Sequence, residues 1–111
     1  MANKVQFYIP NITMWNWRLV SPIFVKLQLS RCQLSFSETD NALENLNIDV
    51  RNIEQEIRGA WATASATHMR AFEARLKEVR AERKRIMFVR LKLQAVIDRM
   101  TDHLAELRDV S

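Results

Sequence analysis

The C-terminal half of the chain carries apolar residues at spacings that alternate between four and three. The stripe consists of Phe72, Leu76, Val79, Arg83, Ile86, Arg90, Leu93, Ile97, Met100, Leu104 and Leu107. This spacing places the residues on one face of a helix and is typical of a coiled coil. An amphipathic helix gains stability only when another element covers its apolar face. The sequence therefore predicts a helix over about residues 66–108 that packs against other helices.

A second stripe with the same spacing precedes the first. Its members are Leu43, Leu46, Val50, Ile53, Ile57, Ala60 and Ala64. Ser37 to Asp40 supply possible N-caps, so we expect a helix over about residues 39–59. The two stripes are out of phase by one residue between Ala64 and Phe72, close to Gly59. An antiparallel helical hairpin that turns near residues 59–67 explains this best, and one continuous helix with a local stutter is the alternative.

The N-terminal third of the chain has a different period. Val5, Phe7 and Ile9 alternate with polar residues, and similar alternation recurs at residues 15–19 and 23–29. A period of two is typical of a half-buried strand. We therefore predict three or four short strands, which can pair with each other or with a partner's sheet. The predicted fold class is α+β, with a β-rich docking segment at residues 1–36 and a helical coiled-coil region at residues 37–111.

Composition and charge narrow the classes of function. The chain of 111 residues has a net charge of +4 and contains one cysteine, two histidines and one glycine. Cys32, His68 and His103 are not spaced as a catalytic or metal-binding set, and one glycine excludes a glycine-rich phosphate loop. We predict a protein that is not an enzyme and that needs no cofactor or metal.

The chain also lacks the usual signs of targeting to a membrane. The N-terminus has no apolar core of the signal-peptide type. The apolar stretch from Met14 to Leu29 contains Arg18 and Lys26 and is too short to span a bilayer. We expect a protein without a membrane span that is cytoplasmic or associated with a particle such as a virion or a secretion assembly.

Several side chains are candidates for binding partner proteins. Trp15 and Trp17 would form an apolar anchor on one side of a strand, although burial against the chain's own helices would also account for them. Phe88 begins a second apolar stripe on the predicted helix, together with Leu91 and Ala95. The predicted partner-binding residues are Trp15, Trp17, Phe72, Leu76, Val79, Ile86, Phe88, Leu93, Ile97, Met100 and Leu104.

Basic residues are concentrated between Arg75 and Lys92, after an acidic segment at residues 37–60. Arg83 and Arg90 interrupt the apolar stripe, where they could set the helix register by meeting acids such as Glu44 or Asp49. Lys84 and Arg85 extend the basic run, so the same four residues are candidates for binding nucleic acid. The alternative is a helix face that is solvated or paired with acids.

These patterns favour a structural protein. The leading hypothesis is a non-enzymatic assembly or adaptor subunit of a larger complex, of the virion, tail or secretion-machine type, that oligomerises through its coiled-coil stripe. One alternative is a helical protein that binds nucleic acid through the basic stretch at residues 75–92. Another is a small secretion chaperone or adaptor that binds a single client.

Overall fold

The computed structural model describes residues 6–63 and 65–110, and its main feature is a helical hairpin. Helix α1 spans Pro22–Ala60 and has 39 residues. Helix α2 spans Ala66–Val110 and has 45 residues. A short 3-10 helix at Ile12–Met14 precedes them. The predicted hairpin is confirmed, and the alternative of one continuous helix is wrong.

The predicted N-terminal β segment is wrong, since the described residues contain no strand. Val5, which belonged to the first predicted strand, lies outside the described residues. Helix α1 begins at Pro22, well before the predicted start near residue 39. Proline suits the first turn of a helix because it has no amide hydrogen to leave unpaired there. The fold class is therefore all-helical rather than α+β.

The start of α1 was missed because much of its inward face is polar. The inward positions follow each other at spacings of three and four, as in a coiled coil, and they include Gln28, Ser35 and Thr39, all of which are buried. The outward face of the same segment carries leucines. A hydrophobic pattern therefore shows an apparent period of two, although the real period is helical.

The segment before α1 folds through local hydrogen bonds instead of strand pairing. The side-chain oxygen of Asn11 accepts hydrogen bonds from the backbone N–H of Thr13 at 3.3 Å and from its hydroxyl at 2.5 Å. The side-chain oxygen of Asn16 accepts one from the backbone N–H of Arg18 at 3.2 Å. Asparagine side chains that bond nearby backbone groups in this way favour turns over sheets.

The turn between the helices is short. Helix α1 ends at Ala60, and the N–H of Thr63 donates to the carbonyl of Ala60 at 3.0 Å. Ser65 then caps α2, because its hydroxyl accepts a hydrogen bond from the N–H of His68 at 3.3 Å. The carbonyl of Ser65 accepts a further bond from the N–H of Met69 at 3.1 Å. The turn thus lies within the predicted range.

The chain divides into two compact units. Unit 1 lies within residues 1–39 and 89–111, and unit 2 comprises residues 40–88. The core of unit 1 is formed by Val25, Cys32, Leu93, Val96 and Met100. Side chains of the N-terminal segment pack against this core, among them Ile9, Ile12, Trp15, Trp17 and Val20. The segment predicted as a separate docking module therefore contributes to the packing of unit 1.

Unit 2 combines a small core with ion pairs across the hairpin. Val50, Ile53 and Ile86 are buried. The Nη1 atom of Arg75 lies 3.0 Å from Oε2 of Glu56, and the Nη2 atom of Arg80 lies 3.5 Å from Oε1 of Glu54. These side chains are about half exposed, so each pair adds little to stability on its own. The acidic part of α1 and the basic part of α2 nevertheless face each other here.

Candidate interaction surfaces

Most of the predicted partner-binding stripe on α2 is covered by the chain itself. Ile86, Leu93 and Met100 are almost fully buried. Five further apolar members are half-buried, namely Phe72, Leu76, Val79, Ile97 and Leu104, and Leu107 at the C-terminal end is 40% exposed. Because the chain's own residues cover this stripe, little of it is left for a second protein. Its role in partner binding stays a prediction.

The position of the buried stripe drifts along α2. Near the C-terminal end Val96 and His103 are buried, whereas Ile97 and Leu104 are half-buried beside them. A straight helix has 3.6 residues per turn, so a strict seven-residue pattern rotates slowly around it. This rotation brings a polar histidine into a buried position that the apolar pattern did not indicate.

The two predicted tryptophan anchors are packed into unit 1. The ring centres of Trp15 and Trp17 are 5.3 Å apart, and Trp15 lies 5.3 Å from Phe24. Trp17 contacts His103 edge-on at 4.9 Å, and the guanidinium of Arg99 lies over its ring at 4.1 Å. The structure therefore places both tryptophans against the chain's own helices. Whether they also contact a partner stays a prediction.

The four basic candidate residues have different surroundings. Arg83 donates a hydrogen bond to the side-chain oxygen of Asn47 at 3.1 Å. The guanidinium of Arg90 lies 4.6 Å from the ring centre of Phe36. Arg85 is hydrogen-bonded to Glu82, which raises the pKa of the arginine, whereas Lys84 is exposed. The two arginines of the stripe thus contact an amide and an aromatic ring, respectively.

Possible metal ligands are not brought together in the part of the chain that the structure describes. No three histidine, cysteine or acidic side chains among them lie close enough to hold a metal ion. Cys32 is buried, and burial raises the pKa of its thiol, with Arg31 opposing this effect. The Nε2 atom of His103 and the hydroxyl of Ser35 are buried without a hydrogen-bond partner. None of these three groups lines the cleft described in the next paragraph.

A shallow cleft in unit 2 is also a poor candidate for a ligand site. It is lined mainly by charged and polar residues, including Asp49, Asn52, Glu56, Arg75 and Glu78. The guanidinium of Arg75 is held by Glu56 at 3.0 Å, so the positive charge in the cleft is already paired. Little apolar surface remains there for a ligand to bury.

The outward faces of both helices carry large apolar side chains. On α1 these residues are Ile23, Leu27 and Leu34, which we call the α1 patch, and on α2 they are Met87, Phe88 and Leu91, the α2 patch. Ile23 is 80% exposed and Leu91 is 69% exposed. Within the described residues, more large apolar side chains are exposed than are buried. These patches are the candidate interaction surfaces.

The sequence had indicated only one of the two patches. Phe88 was a predicted partner-binding residue, and Leu91 was on the same second stripe. The α1 patch was missed because its segment was interpreted as a strand. The signal that could have found it is the helical spacing of Ile23, Leu27 and Leu34, at steps of four and seven residues.

In the part of the chain that the structure describes, neither helix has a stretch apolar and long enough to cross a bilayer. Comparison of the chain with protein-family models, with curated proteins and with solved structures finds no match.

Proposed function

We propose that this chain is a non-enzymatic assembly or adaptor subunit that binds other proteins through the α1 and α2 patches. The observation that carries the proposal is the exposure of leucine, isoleucine, methionine and phenylalanine side chains on the outward faces of both helices. Water-exposed apolar residues grouped on one helix face commonly mark a protein interaction site. The proposal therefore assigns partner binding to the outward faces of α1 and α2 and not to the buried stripe of α2.

Helical spacing supports the grouping of each patch. Phe88 and Leu91 are three residues apart, and Ile23 and Leu27 are four apart, so the members of each pair lie side by side on their helix. A partner helix could therefore bury both members of a pair in one groove. Apolar surface that is removed from water in this way contributes about 25 cal/mol per Å².

The type of complex that we predict from the sequence remains part of the hypothesis. A virion, tail or secretion assembly would supply neighbouring subunits to cover the patches, and an adaptor or secretion chaperone would meet a single client. The identity of proteins cross-linked to the patches would distinguish these settings.

Site-specific photocross-linking in the native cells tests the proposal. A photoreactive amino acid at Leu27 or Leu91 is expected to give cross-linked products of defined mass. The matched controls are Gln33 and Glu78, which are exposed positions on the same two helices away from the patches. Products at the patches and not at the controls would support the proposal. No product at either patch, with the protein present at its normal level, would overturn it.

A further inference from the structure

We propose that the outward face of α2 binds the same face of a second copy of this chain, antiparallel, with the two-fold axis at Leu91. The inference rests on the proposed function, because it names the occupant of the α2 patch. It is drawn from the order of charged and apolar residues along one helix face. Only the continuity of α2 between Arg80 and Asp102 is required.

The residues of this face follow a symmetric spacing. They are separated by four, three, four, four, three and four positions and consist of Arg80, Lys84, Met87, Leu91, Ala95, Asp98 and Asp102. Such steps keep all of them on one side of a helix. All seven are exposed. The spacing is the same when it is counted in either direction from Leu91, as a contact between two identical antiparallel helices requires.

The charges on this face are complementary in the antiparallel arrangement. Bases stand before the apolar centre and acids stand after it. With Leu91 on the axis, Lys84 lies opposite Asp98 of the second copy and Arg80 lies opposite Asp102 of the second copy. A parallel arrangement would instead place Lys84 opposite another Lys84 and Asp98 opposite another Asp98. Because like charges that face each other are unfavourable, the charges select the antiparallel pairing.

The apolar centre is complementary as well. Leu91 meets its own copy at the axis, where both side chains lose water contact. Met87 lies opposite Ala95 of the second copy, and Phe88 follows Met87 at the edge of the same contact. The small alanine leaves room for the larger side chains, so the two helices can approach closely. Each contact occurs twice because the interface is isologous.

Two charged residues of this face also have contacts within their own chain, which limits the affinity of the dimer. Arg80 is also 3.5 Å from Glu54, and Asp98 accepts a hydrogen bond from Gln94 at 2.8 Å. The interface spans about 33 Å of α2, at a rise of 1.5 Å per residue. Ion pairs that remain accessible to water contribute little and weaken with salt. We therefore expect a weak dimer whose dissociation constant rises with ionic strength.

Charge reversal tests the pairing in the full chain. Lys84→Asp and Asp98→Lys should each weaken the dimer by about tenfold or more in sedimentation equilibrium, because each change creates two repulsive pairs. The double variant Lys84→Asp/Asp98→Lys should restore the original affinity. An equimolar mixture of the two single variants should form a heterodimer, seen by native mass spectrometry, since both of its pairs are attractive. Glu78→Lys is the control, because this exposed residue lies more than a third of a turn around α2 from Leu91.

Circular dichroism would verify that every variant keeps its helices. A wild-type chain that stays monomeric at all accessible concentrations would overturn the dimer. So would a dimer that tolerates both single reversals, or a double variant that does not recover. The proposed function is separable from these outcomes, because cross-links from Leu27 or Leu91 to a different protein would still support it. Absence of cross-links together with a monomeric chain would overturn both the proposed function and the dimer.

Discussion

The guanidinium carbon of Arg99 lies 4.1 Å from the ring centre of Trp17, so α2 holds the N-terminal segment through a cation–π contact. His103 contacts the same indole edge-on at 4.9 Å. Both partners come from one helix and lie four residues apart, which places them on the same face. The segment before α1 is thus held in unit 1 by contacts to α2 as well as by the apolar core.

This contact predicts an energetic coupling between Trp17 and Arg99. We expect Trp17→Ala to lower the free energy of unfolding by about 2 kcal/mol, because the half-buried ring packs on the core of unit 1. A double-mutant cycle with Arg99→Ala should give a coupling of about 0.5–1 kcal/mol in urea unfolding followed by circular dichroism. Trp61→Ala is the control and should have little effect, since Trp61 is exposed. Strictly additive effects of the two changes would contradict the contact.

A pair of leucines two residues apart distinguishes the inward and outward faces of α2. Leu93 is fully buried, whereas Leu91 is exposed. We expect Leu93→Ala to cost about 2–5 kcal/mol because it leaves a cavity, and Leu91→Ala to cost less than about 0.5 kcal/mol in the dilute monomer. Thermal or urea unfolding at low protein concentration would measure both. Equal losses would mean that the hairpin is packed on a different face.

The buried thiol of Cys32 predicts a dependence on alkaline pH. Burial raises the pKa of this thiol, with Arg31 opposing the effect. As pH rises, the unfolded chain loses the thiol proton first, near pH 8.5. The contribution of the thiol is therefore complete below about pH 8.5 and is lost as pH rises through the folded pKa.

We therefore expect the difference in unfolding free energy between wild type and Cys32→Ala to shrink from about pH 8 to about pH 10. Titrating groups common to both proteins cancel in this difference. The native thiol should also react slowly with a thiol reagent and faster after unfolding, because only the thiolate attacks. A difference that grows with pH would contradict the assignment of Cys32 as buried.

Gly59 predicts a stabilising substitution. It lies in the last turn of α1, and a Cβ atom added there would have no neighbour within 4 Å. Its φ angle is not positive, so alanine can take the same conformation. We expect Gly59→Ala to raise the free energy of unfolding by about 0.4–1 kcal/mol, as measured by urea denaturation. A loss of stability would show that the turn needs the freedom of glycine.

The surroundings of the basic stretch at residues 75–92 predict weak binding to nucleic acid. Arg75 and Arg80 contact acids of α1, Arg83 contacts Asn47, and Arg90 covers Phe36. Carboxylates offset the charges of Arg75 and Arg80, and contacts within the chain engage the guanidinium groups of Arg83 and Arg90, so fewer basic side chains remain available to phosphates. In fluorescence polarisation we expect no saturable binding of duplex or single-stranded DNA near physiological salt. Tight binding that weakens when Lys77, Lys84 and Lys92 are changed to glutamine would revive this alternative.

Much of α2 and the hairpin could be predicted from the sequence. The expected helix at residues 66–108 agrees with the observed Ala66–Val110, and the turn lies within the expected range of 59–67. Long stripes with steps of four and three rarely arise outside packed helices, and Ser65 gives the cap that starts the second helix. The signal was strong here because apolar residues face inward along most of α2.

The first half of α1 could not be predicted in the same way. Its inward face includes Gln28, Ser35 and Thr39, while Leu27 and Leu34 face outward. Thr39 satisfies its hydroxyl locally by donating to the carbonyl of Phe36 at 2.5 Å, so burial costs it little. The hydropathy pattern of this segment therefore indicates its outward face as the buried one. Nothing in the local sequence shows that the hydroxyl side chains of Ser35 and Thr39 are the buried ones.

The contacts of Arg83 and Arg90 could not be predicted from the sequence either. Pairing of Arg83 with Asn47 depends on the register of α1 against α2, and the placement of Arg90 over Phe36 depends on α1 extending back to Pro22. The α2 patch was partly foreseen through Phe88. The α1 patch followed only once its segment was known to be helical.

The distribution of the three tryptophans gives this protein an intrinsic optical reporter for unit 1. Trp15 and Trp17 are packed in unit 1, whereas Trp61 is 76% exposed in the turn of unit 2. Emission from the first two should shift to the red when unit 1 opens, and emission from the third should change little. The emission of a Trp61→Phe variant, compared with the loss of helix in circular dichroism, would therefore show without any attached dye whether unit 1 unfolds together with the rest of the helices.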